Sequence, residues 1–129
     1  MPHPNAELAR TGYEAFSKGD MVGIRAVLAD HVIYHLESAG VLSGTYRGID
    51  AVLAVFARIA EETNGTFALD TQSFLADDDQ VVVIAGMTAR RGDRTLDTRQ
   101  FALYHVVDER VAEAWFAVED GASQDVFWS

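Results

Sequence analysis

The chain has 129 residues, with 10 basic against 20 acidic side chains, no cysteine and a formal net charge of −10. This length suits one domain, residues 1–129, and the negative charge repels nucleic-acid phosphates and anionic membrane surfaces, so neither is an expected partner. The lack of cysteine excludes disulfides, thiol nucleophiles and cysteine zinc sites. Because the chain shows neither a signal-peptide pattern nor an apolar run long enough to span a bilayer, the expected location is cytoplasmic.

The first half of the chain predicts three helices around one strand. Apolar residues recur at helical spacing in three segments, with Asn5 and Asp20 as the N-caps of the first two. These helices are predicted over residues 5–18, from 20 to the break at 30–31, and over 49–63. The β-rich segment 31–38 predicts the strand, and the glycines of segment 39–48 predict a loop.

The second half predicts a meander of strands. They are expected at residues 66–76, 81–90, 95–107 and 110–118. Their short polar connections force antiparallel neighbours. The order predicts an α+β fold, a cone-shaped α+β barrel in which the three N-terminal-side helices pack on a strongly curved, mainly antiparallel sheet and leave an apolar pocket. The tail is expected to pack back on the body through Phe127 and Trp128.

Three segments carry a resemblance to a known family. They are YEAFSKGDMVGIRAVLADHVIYH, LSGTYRGIDAV and VVDERVAEAWFAVED. Together with the element order, they resemble the SnoaL-like branch of the nuclear transport factor two-like superfamily. That superfamily includes polyketide cyclases, ketosteroid isomerases, limonene epoxide hydrolases and members without catalysis. The resemblance therefore implies the fold and leaves the activity open.

The catalytic positions of the best-known enzymes of this superfamily carry unreactive residues here. By a hand alignment, the positions of the ketosteroid isomerases fall on Gly12, Leu36 and Ala102. Those of the polyketide cyclases fall on Ala102 and Phe116, and the epoxide hydrolases need an acid where Phe116 stands. The resemblance thus does not support these three mechanisms.

Strand alternation from Ala102 and Phe116 predicts the pocket wall. The predicted wall comprises Tyr34, Leu36, Phe56, Gln100, Ala102, Tyr104, Ala114, Phe116 and Val118. Asp120 would stand at its mouth with a raised pKa, as a general acid or base, while Tyr34 and Tyr104 polarise a ligand oxygen. The alternatives are that Asp120 is a solvated turn residue or a cap, and that the tyrosines bond within the protein.

The opposite sheet face is predicted to be apolar enough for a subunit contact, which would make the protein a homodimer. A shift of the alignment by one residue would exchange the two faces. His35 would then be a fallback base, with Arg99 and Trp115 beside it. No metal site is expected, because His31 and His35 would lie roughly 13 Å apart on a strand.

These observations predict a pocket protein for a small hydrophobic ligand. As an enzyme it would be a cofactor-independent isomerase, cyclase or dehydratase acting on a cyclic or carbonyl-bearing compound. One alternative is a noncatalytic binder of a hydrophobic metabolite. The other is a dimeric interaction module whose vestigial pocket is filled by Phe56, Phe116 and Phe127.

Overall fold

The computed structural model describes residues 3–36 and 40–129, which form four α-helices and six strands. The helices are α1 (Pro4–Lys18), α2 (Met21–Val27), α3 (Ile49–Glu62) and α4 (Gly121–Trp128). The strands are β1 (Leu28–Leu36), β2 (Gly44–Arg47), β3 (Ala68–Ala76), β4 (Gln80–Arg91), β5 (Arg94–Val107) and β6 (Arg110–Val118), and a 3₁₀ turn (Gly40–Leu42) precedes β2. Within these residues, no helix combines the length and the apolar character needed to cross a membrane.

The strands form one sheet in the order β2-β1-β6-β5-β4-β3. Every neighbouring pair is antiparallel except β1 and β6, which run parallel. The predicted fold class, helices on a strongly curved and mainly antiparallel sheet, is confirmed. In the centre of the sheet, Ala102 of β5 stands between Val83 of β4 and Phe116 of β6.

The helix ends follow local capping chemistry, with two corrections to the prediction. The helix expected to run to 30–31 ends at Val27, because β1 already begins at Leu28 and pairs there with β6. The other correction is the first N-cap. The predicted N-cap of α1, Asn5, lies inside the helix, and its amide donates a hydrogen bond to the carbonyl oxygen of Asp77 at 2.8 Å. The N-cap is His3, whose ring nitrogen accepts from the Asn5 N–H at 3.0 Å. Gly19, with φ 66°, ends α1, and Asp20 caps α2 as predicted.

Two elements were not predicted. Segment 44–47 reads as loop because it contains glycine, yet it forms β2 because Tyr46 pairs with Tyr34 of β1. The tail forms α4, and the predicted packing of Phe127 and Trp128 holds, since they are 1% and 3% exposed. The predicted end of the first strand, 37–38, and the predicted start of the loop at 39 lie outside the described residues.

Two apolar clusters fill the space between helices and sheet. The first lies under α1, α2 and α3 and includes Val32, Tyr34, Val83, Ala102, Tyr104 and Ala114. The second includes Leu42, Val55, Met87, Leu96, Phe127 and Trp128. Gly40 is required beside the second cluster, because a Cβ there would lie 2.5 Å from the Trp128 carbonyl oxygen.

Candidate functional site

An apolar cavity of about 100 Å³ lies between the helices and the inner face of the sheet. Six of the predicted wall residues line it: Tyr34, Leu36, Phe56, Gln100, Tyr104 and Phe116. The first helix adds Leu8, Ala9, Gly12, Tyr13 and Phe16. Among the residues that the structure describes, none of those on the wall is an aspartate, glutamate, histidine, lysine or arginine.

The strand register orders the wall in rows, starting from a closed end. At the closed end, Val111 pairs with Val106 and with Leu28, and all three are buried. Tyr34, Ala114 and Tyr104 form the next row across β1, β6 and β5. Phe116 and Ala102 form the row after that, and Gln100 opposite Val118 forms another. In the next row along the sheet, Leu69 of β3 lies opposite Met87 of β4, and Met87 lies opposite Thr98 of β5.

Three phenols converge near the closed end. The hydroxyls of Tyr13 and Tyr104 share a hydrogen bond of 2.7 Å. The ring of Tyr34 lies 6.5 Å from that of Tyr104, centroid to centroid. The hydroxyl of Tyr34 makes no hydrogen bond to any residue within 3–36 or 40–129. It therefore has its donor free for a ligand.

Burial keeps these phenols neutral. It raises the pKa of Tyr13 to about 12 and holds the pKa of Tyr34 and of Tyr104 well above the usual value for tyrosine. A neutral phenol donates a hydrogen bond to an oxygen and is a poor base near neutral pH. The site thus offers donors suited to a carbonyl oxygen.

Tyr13 was missing from the predicted site. It lies on the apolar face of α1, where an aromatic residue reads as core, and its partner Tyr104 is 91 residues away in the chain. The apolar position itself was visible in the sequence. The hydrogen bond depends on packing of α1 against β5, which no local pattern encodes.

Asp120 does not have the environment expected of an acid or base. It is exposed and caps α4, and its carboxylate accepts from the Ser123 hydroxyl at 2.6 Å and the Ser123 N–H at 3.1 Å. These bonds hold the pKa of Asp120 below its usual range, so the expected raised pKa is wrong. The alternative, that Asp120 is a cap, describes the structure.

Three further predicted wall residues lie off the cavity surface. Ala114 is flanked by Tyr34 and Tyr104, and Ala102 is flanked by Val83 and Phe116, so the short alanine side chains are covered by larger neighbours. Val118 packs against the second apolar cluster instead. These three residues pack next to the side chains that line the cavity and do not form its surface.

The fallback residues lie on the outer sheet face. His35 Nε2 pairs with Glu113 Oε2 at 2.6 Å, and its ring stacks on that of Trp115 at 5.4 Å. Arg99 donates hydrogen bonds to the carboxylate of Glu119. These side chains are not among the residues that line the cavity. The one-residue shift of the alignment that would have turned them toward the pocket therefore does not occur.

The vestigial-pocket hypothesis is not supported by the packing. Phe56 and Phe116 line the cavity, but Phe127 lies in the second cluster, and open volume remains. In the described part of the chain, no group of three histidine, aspartate or glutamate side chains could hold a metal ion.

Comparison with known proteins identifies the family of this chain. An uncharacterized protein of Mycobacterium tuberculosis is 27% identical over 124 residues, which is 95% of each chain. The structure of Bal32a, from a soil-derived mobile gene cassette, matches with a TM-score of 0.94 and 31% identity over 98% of this chain and 97% of that one.

A protein from Jannaschia sp. CCS1, provisionally named a SnoaL-like polyketide cyclase, shares the fold, with a TM-score of 0.80 and 16% identity over 98% of this chain and 92% of that one. The SnoaL-like domain family matches residues 9–114. The chain therefore belongs to the SnoaL-like domain family.

Proposed function

We propose that this protein binds a small, largely apolar molecule that carries a carbonyl oxygen, and that this oxygen accepts a hydrogen bond from Tyr34. The observation that carries the proposal is the free phenol of Tyr34 on the wall of an apolar cavity, beside the bonded pair of Tyr13 and Tyr104. No fully buried side-chain oxygen or nitrogen among the described residues lacks a partner, so the Tyr34 hydroxyl, which bonds to none of them, is accessible from the cavity. A ligand oxygen can therefore reach it.

The size of the cavity limits the ligand. An apolar cavity of about 150 Å³ admits benzene, so the smaller cavity here, about 100 Å³, holds no more than one small ring. The rest of a larger ligand would extend beyond this volume. The acidic net charge disfavours an anionic ligand, and the apolar wall favours a neutral one.

A matched pair of ligands tests the proposal by isothermal titration calorimetry. 4-Phenylcyclohexanone carries the ketone, and phenylcyclohexane has the same rings without it. The ketone should bind about fivefold more tightly, since one hydrogen bond contributes about 1 kcal/mol. Tyr34→Phe should abolish the difference.

Tyr46→Phe is the matched control, because the Tyr46 hydroxyl donates to the Leu42 carbonyl oxygen at 2.7 Å and is not on the cavity wall. It should leave the difference between the ligands intact. Equal affinity of the wild-type protein for the two compounds, or binding of neither, would refute the proposal.

A catalytic form of the same site is the second candidate. Phenols that donate to a ketone oxygen stabilise the enolate that forms when the α-carbon loses a proton, and this favours a cofactor-independent isomerase or cyclase. The described wall residues include no carboxylate or imidazole, so water or a basic group of the substrate would accept the α-proton. Exchange of the α-protons of 4-phenylcyclohexanone in heavy water, followed by NMR, should exceed the buffer rate and fall in Tyr34→Phe. Exchange at the buffer rate would leave binding as the only function of the site.

We also propose a homodimer that forms through the outer sheet face. Leu75, Val82, Leu103 and Trp115 form one row across four strands, and Leu75 and Trp115 are 60% and 39% exposed. Exposed apolar side chains in one row favour a protein contact. Sedimentation should show a dimer that Trp115→Glu converts to monomer, and a monomeric wild-type protein would contradict the assignment.

A further inference from the structure

Gln100 is the one amide on the described part of the cavity wall, and its hydrogen-bonding capacity is largely unused. Its NH₂ group lies 3.8 Å from the sulfur of Met87, a weak acceptor. Its amide oxygen has no partner in segments 3–36 and 40–129. Because no fully buried side-chain nitrogen or oxygen of the described residues lacks a partner, the amide oxygen of half-buried Gln100 is accessible and can bond to a molecule in the cavity.

The register fixes where this amide stands relative to the phenols. Gln100 and Tyr104 lie on β5, four residues apart, and both project into the cavity. Four residues of extended strand span roughly 13 Å between Cα atoms. Tyr34 lies in the Tyr104 row, so the phenols and the amide mark opposite ends of the wall.

The wall between these ends is apolar. Phe116 and Leu36 lie in the one row between these ends, and Phe56 of α3 also lines the cavity. The phenols lie next to the buried row of Leu28, Val106 and Val111, whereas Gln100 itself is half-buried. A ligand oxygen at the phenols and a group at Gln100 therefore lie at different ends of the wall.

We infer that the ligand is two-ended: a narrow apolar body with a carbonyl oxygen at the phenols and a second hydrogen-bonding group, a hydroxyl or a carbonyl, at Gln100. This inference rests on the proposed function and adds the second polar group. It makes Gln100 the residue that selects among carbonyl compounds. A hydroxyl at the second end of the ligand donates to the Gln100 amide oxygen, and a carbonyl there accepts from its NH₂ group.

The test adds 4-(4-hydroxyphenyl)cyclohexanone, whose two oxygens lie at opposite ends of the molecule, to 4-phenylcyclohexanone, which lacks the hydroxyl. Calorimetry on the wild-type protein should show the hydroxylated ketone binding about fivefold more tightly, the ratio expected for one added hydrogen bond. In Gln100→Met, which keeps the side-chain length and removes the amide, the ratio should fall to one. The affinity of the same variant for 4-phenylcyclohexanone is the reference for this ratio.

Tyr34→Phe separates this inference from the proposed function. It should weaken both ketones by the same factor and leave their ratio unchanged. If the wild-type protein binds both ketones equally, or if Gln100→Met weakens both alike, the two-ended ligand is refuted while binding at the phenols stands. If neither ketone binds, both the inference and the proposed function fail.

Discussion

The hydrogen bond between Tyr13 and Tyr104 should be detectable as a coupling energy. Tyr13→Phe removes the partner of the Tyr104 hydroxyl, which is fully enclosed, and Tyr104→Phe does the reverse. Each single change should cost about 1–3 kcal/mol, because one hydroxyl is left without its partner. The double variant removes both hydroxyls together and should cost only about 0.5–1.5 kcal/mol, less than the sum of the single costs.

Urea unfolding followed by tryptophan fluorescence measures these energies. With a urea dependence of about 2 kcal/mol per molar, a loss of about 2 kcal/mol lowers the midpoint by roughly 1 M. Tyr46→Phe combined with Tyr13→Phe is the control, since the Tyr46 hydroxyl bonds to the Leu42 carbonyl oxygen instead. The losses in the free energy of unfolding caused by Tyr46→Phe and Tyr13→Phe should be additive. Additive costs for Tyr13→Phe and Tyr104→Phe would refute the idea that the two phenols depend on each other.

Three other predictions concern pH, backbone strain and the excluded acid. The unfolded chain ionises its phenols near pH 10, whereas burial raises the pKa of Tyr13 to about 12. Stability should thus be full below pH 10 and fall between pH 10 and 12, by up to about 1.4 kcal/mol per pH unit per phenol. Urea titrations should show a smaller fall in Tyr13→Phe, and constant stability over this range would contradict the assignment. Gly40→Ala should lower the melting temperature more than Gly19→Ala does. Both positions have positive φ, but only the Cβ at Gly40 meets the Trp128 carbonyl oxygen, and equal losses would contradict the contact. Asp120→Asn should leave ketone affinity unchanged and stability within about 0.5 kcal/mol, since asparagine caps helices as well as aspartate. A loss of affinity in calorimetry would return Asp120 to the site.

The sheet was predictable because alternation and turn chemistry agree along its strands. Segment 110–118 was predicted at its observed bounds, and Ala102 and Phe116 face the interior as the alternation required. The same alternation placed Gln100 and Tyr104 on one wall. A period of two is a strong signal where one face of a strand is buried.

What the sequence did not reveal depends on contacts between distant segments. β2 is a strand only because Tyr46 meets Tyr34, and the phenol pair joins α1 to β5. Asp120 was expected at a pocket mouth because α4 was not predicted, although Ser123 stands three residues later, where a capping partner would be. Alternation identifies which face a side chain takes, but not whether a neighbour covers it, as at Ala114.

A crystal structure of the protein soaked with 4-phenylcyclohexanone tests the central claim most directly. The account predicts the ketone ring inside the cavity, with its oxygen about 2.7–2.8 Å from the Tyr34 hydroxyl oxygen and the phenyl ring directed past Gln100. A ketone oxygen turned away from all three phenols, or a cavity that stays empty at saturating ketone, would contradict it.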